Sequence, residues 1–416
     1  MQSSRFTIAR LGGQGDGIAD SEKGPVFIPF ALPGETVTAA RVKDRAELIS
    51  VLDPSPDRIA PACRHFGECG GCAMQHLRHD LYLAWKRDKV VAALKAKGLD
   101  AGVVGDIVPC QPGTRRRVIL SARKTEAGML LGYNRALSHT IIDIEECPIA
   151  LPAIVAALPL LRQVAEKVCA TGQAFHLTVT STDSGFDIAA SGAGKLSDAQ
   201  RRAAIDFITA QPSIARLSSD GEIIVEPRKP MITFGAVSVV PPPGAFLQAV
   251  AGAEAVMADL AVQHLAKAKK VADLFAGTGA FTFRLAVRSA VHAVEGDGPA
   301  LAALDRAARA ATGLKPVTAE KRDLFHRPLT MKELNAYDGV VFDPPRAGAE
   351  DQSKQLARSN VPLLAAVSCN PLSLARDLAI LTAGGYRLKS VSPVDQFLWS
   401  PHVEAVALLE KPKVRR

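Results

Sequence analysis

From residue 271 onward the chain alternates short apolar runs with helical stretches, and this alternation leaves few folds open. Residues 271–275, 291–295, 340–343, 364–368 and 405–409 each suffice for one short strand, and helix-compatible sequence separates several of them. Strands joined in this way predict a parallel, doubly wound sheet. Ligands of such sheets bind beyond the carboxyl ends of the strands, so the residue that ends each run is a candidate.

The first of these edges carries Asp273-Leu-Phe-Ala-Gly277-Thr-Gly279, which follows a run and opens a helix. Glycines there let backbone approach a ligand closely. Glu295 ends the next run, where a carboxylate can hold ribose hydroxyls. A full dinucleotide fingerprint has a third glycine where this chain has Thr282. The expectation is a nucleoside-type cofactor, and the leading acid with the missing glycine favours S-adenosylmethionine over a nicotinamide. Asp343-Pro-Pro-Arg346 and Ser368-Cys369-Asn370-Pro371 end two later runs, and Ser400-Pro-His402-Val-Glu404 leads into the last. Taken singly, Cys369 reads equally well as a small buried hydrophobe or a reactive thiol, and Glu404 reads as a solvated or capping residue. A thiol and two carboxylates around a methyl donor favour chemistry.

Upstream, residues 1–56 alternate short strands with Gly/Pro turns and predict a small β-barrel. Residues 53–57 read as a linker and 80–97 as a helix stopped by Gly98. Residues 115–235 mix strands (117–122, 129–133, 140–144, 176–180) with helix (198–209), and Pro241-Pro-Pro-Gly244 marks a boundary. The expected domains are 1–56, a mixed α+β domain at 57–235, and 236–416. There are seven cysteines, an odd number and no disulfide framework. Cys63, Cys69, Cys72 and the distant Cys147 can supply four thiolates for an iron–sulfur cluster or, less naturally, structural zinc, which favours two close pairs. No spacing requires His65 or His76, and Cys110 and Cys169 read as core residues. The formal charge of +8 over 416 residues suits a polyanionic partner, and Arg115-Arg116-Arg117 with Lys411, Lys413, Arg415 and Arg416 offers phosphate contacts or an ordinary solvated surface. The most apolar run, 149–161, is too short to span a bilayer, and the N-terminus has no export pattern, so a cytoplasmic protein is expected.

Gly277-Thr-Gly279, Asp343-Pro-Pro-Arg, Ser-Cys369-Asn-Pro and His-Val-Glu404 stand in the order found in RNA uracil-5 methyltransferases, which the chain resembles over nearly its whole length. Phe246-Leu-Gln248 resembles the family's F-x-Q element, although Val250 stands where many members have Asn. The resemblance implies a C-terminal Rossmann-like methyltransferase domain, a TRAM (OB-like) RNA-binding module at 1–56, and a [4Fe-4S] cluster on Cys63, Cys69, Cys72 and Cys147. It implies Cys369 as the nucleophile toward C6 of uracil, Glu404 as the general base that removes the C5 proton, and Asp343 as the group orienting the base. For the donor it implies Gln248, Phe275, Gly277, Gly279, Glu295, Asp323 and Asp343. Members with both the TRAM module and the cysteine cluster act mostly on large-subunit ribosomal RNA, so 23S rRNA is the expected substrate, with a transfer RNA as alternative. No obligate protein partner is evident, and a monomer is expected. Two rivals are an amino-group methyltransferase of the D-P-P type and a non-enzymatic iron–sulfur RNA-binding protein. The first favours an aromatic where Arg346 stands and has no use for Cys369 or Glu404; the second leaves the full set of reactive residues unexplained.

Overall fold

The computed structural model describes residues 3–412. The C-terminal part is one seven-stranded sheet: β1 (Lys270–Leu274), β2 (Ala290–Glu295), β3 (Val317–Lys321), β4 (Gly339–Phe342), β5 (Leu363–Ser368), β6 (Arg387–Val394) and β7 (Glu404–Glu410). Its order is β3-β2-β1-β4-β5-β7-β6. The first five strands are parallel, whereas β7 runs antiparallel to both β5 and β6. This is the doubly wound order of nucleotide-binding sheets with one reversed strand inserted next to the last. β1, β4 and β5 are buried on both faces, which is why they read as unbroken apolar runs. β3 and β6 lie at the two edges and carry polar residues such as Glu320 and Lys389, so no apolar run marks them.

The N-terminal residues form a six-stranded sheet in the order Ser3–Thr7, Thr36–Val42, Arg45–Asp53, Val26–Ile28, Gly17–Ala19, Arg10–Leu11, around Ile8, Val26, Ile28 and Val37. Where a small barrel is expected, the strands form a curled sheet. Its outer strands are consecutive in sequence, so the sheet bends round, but among the described residues no strand ladder joins them. Glu35, fully buried, accepts from the Ser55 N–H at 3.2 Å and from Arg58 Nε at 2.5 Å, which ties this sheet to the linker and the residue after it.

The middle region holds a second seven-stranded sheet covered by the helices Leu158–Val168 and Asp198–Thr209, whose Leu161, Val164, Ala204 and Ile208 enter its core. The helix His79–Lys95 precedes that sheet in sequence but packs on the C-terminal sheet. Val90, Ala93, Leu94 and Val104 share a core with Leu374, Leu378 and Val391. Packing therefore departs from chain order between residues 79 and 108. Cys110 is buried in the core under the C-terminal sheet, and Cys169 packs against the core of the middle sheet. Among the described residues no helix is long and apolar enough to cross a membrane.

Candidate active site

The turn after β1 is built from backbone that few side chains tolerate. Gly277 and Gly279 have φ of +55° and +103°, and Phe275, not a glycine, has φ of +61°. The Phe275 ring packs on Phe325 with centroids 5.4 Å apart. The Gly277 N–H donates to Glu295 Oε2 at 2.9 Å and the Asp297 N–H to Oε1 at 2.7 Å, which fixes the carboxylate at the end of β2. Phe275, Gly277, Glu295, Asp323 and Phe325 all line one cavity of about 480 Å³, ample for a nucleoside-sized ligand. Gly279 does not line it: a Cβ there would meet the Phe283 ring at 2.4 Å, so this glycine serves the turn and not the ligand wall. Asp273 lies behind the turn, buried, accepting from Thr282 Oγ1 at 2.5 Å, and burial pushes its carboxyl up to about 7.

The same cavity is walled by Gln248, Asp343, Arg346, Cys369, Phe397 and Glu404. A hydrogen-bonded chain joins the two carboxylates. Gln248 Nε2 donates to Asp343 Oδ2 at 2.9 Å; Gln396 Nε2 donates to Gln248 Oε1 at 2.7 Å and to Glu404 Oε1 at 3.1 Å. Glu404 Oε2 is buried without a partner. Burial and the charge of Asp343 raise the Glu404 carboxyl well above the usual range. Burial also raises Asp343 to about 7, against the Gln248 hydrogen bond. Cys369 is half-buried, and its thiol is pushed up to about 11 by burial, then by Glu404 and Asp343, with Arg346 opposing. Burial and then the two carboxylates favour the protonated thiol, while a backbone hydrogen bond and the Arg346 charge favour thiolate. Cys369 sits just before the helix Pro371–Ala383. Asn370 caps this helix by accepting from the Leu372 N–H at 3.1 Å, and its Nδ2 donates to the Arg346 carbonyl at 3.2 Å.

Cys63, Cys69, Cys72 and Cys147 line a second cavity of about 300 Å³, and all four are free thiols. Burial and their neighbours' charges raise Cys63, Cys69 and Cys72, the last to about 12. Among the described residues no group of three or more His, Cys, Asp or Glu side chains is suited to holding a metal ion. His65 Nε2 instead accepts from the Glu145 N–H at 3.2 Å, and His76 is a buried ring packed on Phe66.

The basic run divides. Arg116 is buried, donating to Glu254 Oε2 at 2.7 Å and to the Gln248 carbonyl at 3.1 Å, so it braces the site from within and is neither a phosphate contact nor solvated surface. Arg115 and Arg117 stand 6.0 Å from the Phe397 and Phe246 rings. Lys411 Nζ donates to the carbonyls of Ala357 and Ser359, and Lys413, Arg415 and Arg416 lie outside the described residues. Sequence reasoning missed Gln396, Phe397 and Phe325. Gln396 and Phe397 follow the edge strand β6, whose recognition would have drawn attention to them.

A glycine turn with an acidic strand end, opening on a cavity that also holds a thiol and two carboxylates, defines a methyltransferase domain of mixed α/β fold using S-adenosylmethionine. The family description tRNA (Uracil-5-)-methyltransferase matches residues 241–412. An uncharacterized RNA methyltransferase of Mesorhizobium japonicum is 64% identical, covering 100% of both chains. The 23S rRNA (uracil(1939)-C(5))-methyltransferase of Halomonas elongata is 33% identical, covering 99% of this chain and 90% of its own. The crystal structure of Pyrococcus abyssi tRNA (uracil-54, C5)-methyltransferase with S-adenosyl-L-homocysteine superposes with a TM-score of 0.77 at 24% identity, covering 97% and 99% of the two chains. The chain belongs to the RNA uracil-5 methyltransferase family and is an RNA (uracil-5-)-methyltransferase.

Proposed function

We propose that the enzyme methylates C5 of a uridine in 23S rRNA through a covalent bond between Cys369 and C6. The observation that carries this reading is the single cavity walled by Cys369, Glu404, Asp343 and Gln248. C5 of uracil is a weak nucleophile, and addition of a thiolate at C6 turns the ring into an enolate whose C5 can attack. Glu295 would hold the donor's ribose and Phe275, Gly277, Asp323 and Gln248 would surround it, S-adenosylmethionine supplying the sulfonium methyl when bound. Asp343 and Gln248 orient the uracil edge. Glu404 then takes the C5 proton, and the released electron pair expels the Cys369 thiolate. Burial and the charge of Asp343 raise the Glu404 pKa, which makes its ionised form a stronger base.

The ribosomal substrate is supported by the full-length relative from Halomonas elongata and by the pairing of a curled N-terminal sheet with the cysteine site. On this reading residues 1–56 act as a TRAM-like surface for RNA in the cytoplasm, the target uridine is flipped out of its stack, and the enzyme works as a monomer. Cys63, Cys69, Cys72 and Cys147 would hold a [4Fe-4S] cluster. Four free thiols on one cavity fit that donor set, and a cluster asks for wider sulfur spacing than a single ion. Bound there, it would tie residues 63–72 to 147. Mass-spectrometric mapping of 5-methyluridine in RNA from a deletion strain tests the assignment. Loss of the mark from one 23S position supports it; loss from tRNA alone moves the substrate to tRNA.

A further inference from the structure

The loop between β6 and β7 carries Gln396 at its start and delivers Glu404 at its end, and its backbone is fastened by residues far away in sequence. Within it Trp399 has φ of +57°, a left-handed conformation that a bulky residue keeps only where its surroundings over-determine it. Those surroundings are explicit. The Trp399 carbonyl accepts from the N–H groups of both Ala73 (2.8 Å) and Met74 (3.0 Å), which directly follow Cys72. The Trp399 N–H donates to the Tyr82 hydroxyl at 2.6 Å, and that hydroxyl donates to Asp395 Oδ1 at 2.8 Å. Lys86, buried, pairs with Asp395 and donates to the Phe397 carbonyl at 2.7 Å; Lys89 donates to the Pro401 carbonyl. Phe397, Ser400 and His402 of this loop also line the four-cysteine cavity.

We propose that Tyr82 and the left-handed Trp399 backbone are positioning groups for Glu404: the segment after Cys72 grips the loop at Trp399 and sets where the base stands. The inference rests on the reading of Glu404 as the C5 base. Neither Tyr82 nor Trp399 lines the cavity that holds Glu404, so their loss acts through the loop and falls most directly on the proton-removal step.

The experiment uses the full-length enzyme, S-adenosylmethionine labelled in its methyl group, and RNA from a strain lacking the enzyme. After quenching and nuclease digestion, label on the protein band of a denaturing gel reports methylated adduct, and label in free RNA reports completed turnover. Tyr82→Phe removes one hydroxyl and is expected to raise the ratio of adduct to released product on the order of tenfold, the scale of one buried hydrogen bond. Trp399→Val loses the side chain and also resists positive φ, whereas Trp399→Gly loses the same side chain but accepts that backbone. Adduct is therefore expected to accumulate in the valine variant and far less in the glycine variant. Glu404→Gln, run alongside, separates the two claims. If it retains no label, the base assignment falls. If it retains label while Tyr82→Phe and Trp399→Val match the parent, or if glycine accumulates as much as valine, the positioning role is overturned. Thermal melts and binding of S-adenosylhomocysteine establish that each variant is folded, and Tyr82→Phe decides the matter should Trp399→Val not fold.

Discussion

Gln396 holds Glu404 by one carboxylate oxygen alone: its Nε2 donates to Oε1 at 3.1 Å, while Oε2 is buried with no partner. An acceptor left open in a buried site is where an incoming proton can be received. Glu404→Gln keeps the shape and removes that capacity. Methylated adduct should then accumulate on denaturing gels, and adding Cys369→Ala should abolish it. Normal release of methylated RNA by Glu404→Gln would assign the base elsewhere.

The thiol should respond to the same carboxylates. With Cys369 raised to about 11, its thiolate fraction is small at pH 8 and grows tenfold with each pH unit. Removing the Asp343 charge by Asp343→Asn lowers that pKa, so alkylation of Cys369 by iodoacetamide at pH 8 should quicken roughly threefold to tenfold. Arg346→Ala should slow it. Peptide mapping follows this one cysteine among seven.

Asp273 predicts a stability effect with a definite sign. Its carboxyl is raised from 3.8 to about 7 by burial, so the folded state favours the protonated form and loses stability as pH rises through that window. Asp273→Asn escapes the loss. It should match the parent near pH 4 and gain progressively to pH 7, reaching at most about 4 kcal/mol. Melting curves of both proteins at pH 5 and pH 8 read the difference, and an equal difference at both would contradict the burial argument.

Arg116 should behave as a core residue. Arg116→Ala strands Glu254 with only Arg284, at 3.3 Å, and should cost about 3 kcal/mol in denaturant unfolding. The slope of RNA affinity against salt should stay as in the parent, because no phosphate contact is lost.

Anaerobically purified protein should be brown with about four irons per chain, and Cys69→Ser or Cys147→Ser should lose both colour and iron. Stoichiometric zinc in such a preparation would exclude the cluster.

The central strands of the catalytic sheet were readable because burial on both faces writes an unbroken apolar run, and the glycine turn because its backbone admits few residues. The edge strands β3 and β6 obey no such rule, and the loss of β6 concealed Gln396. The helices Pro152–Ala156 and Leu158–Val168 were also missed, since Pro152 and Pro159 look like breakers although each sits in a first turn, where proline is tolerated. Arg116 misled for another reason: its partner Glu254 lies 138 residues away, and local charge patterning is blind to that distance.

The reversed β7 gives the site an unequal anatomy. Leu274, Glu295 and Ser368 close their strands, so the ladder that sets their positions lies upstream of them. Glu404 opens its strand, and the ladder that anchors it lies downstream. The loop before Glu404 is therefore held by its own fastenings to Ala73, Met74, Tyr82, Lys86 and Lys89 and not by a ladder hydrogen bond of β7. One wall of the pocket thus owes its position to contacts from outside the sheet, while the walls that end β1, β2 and β5 stand on the sheet itself.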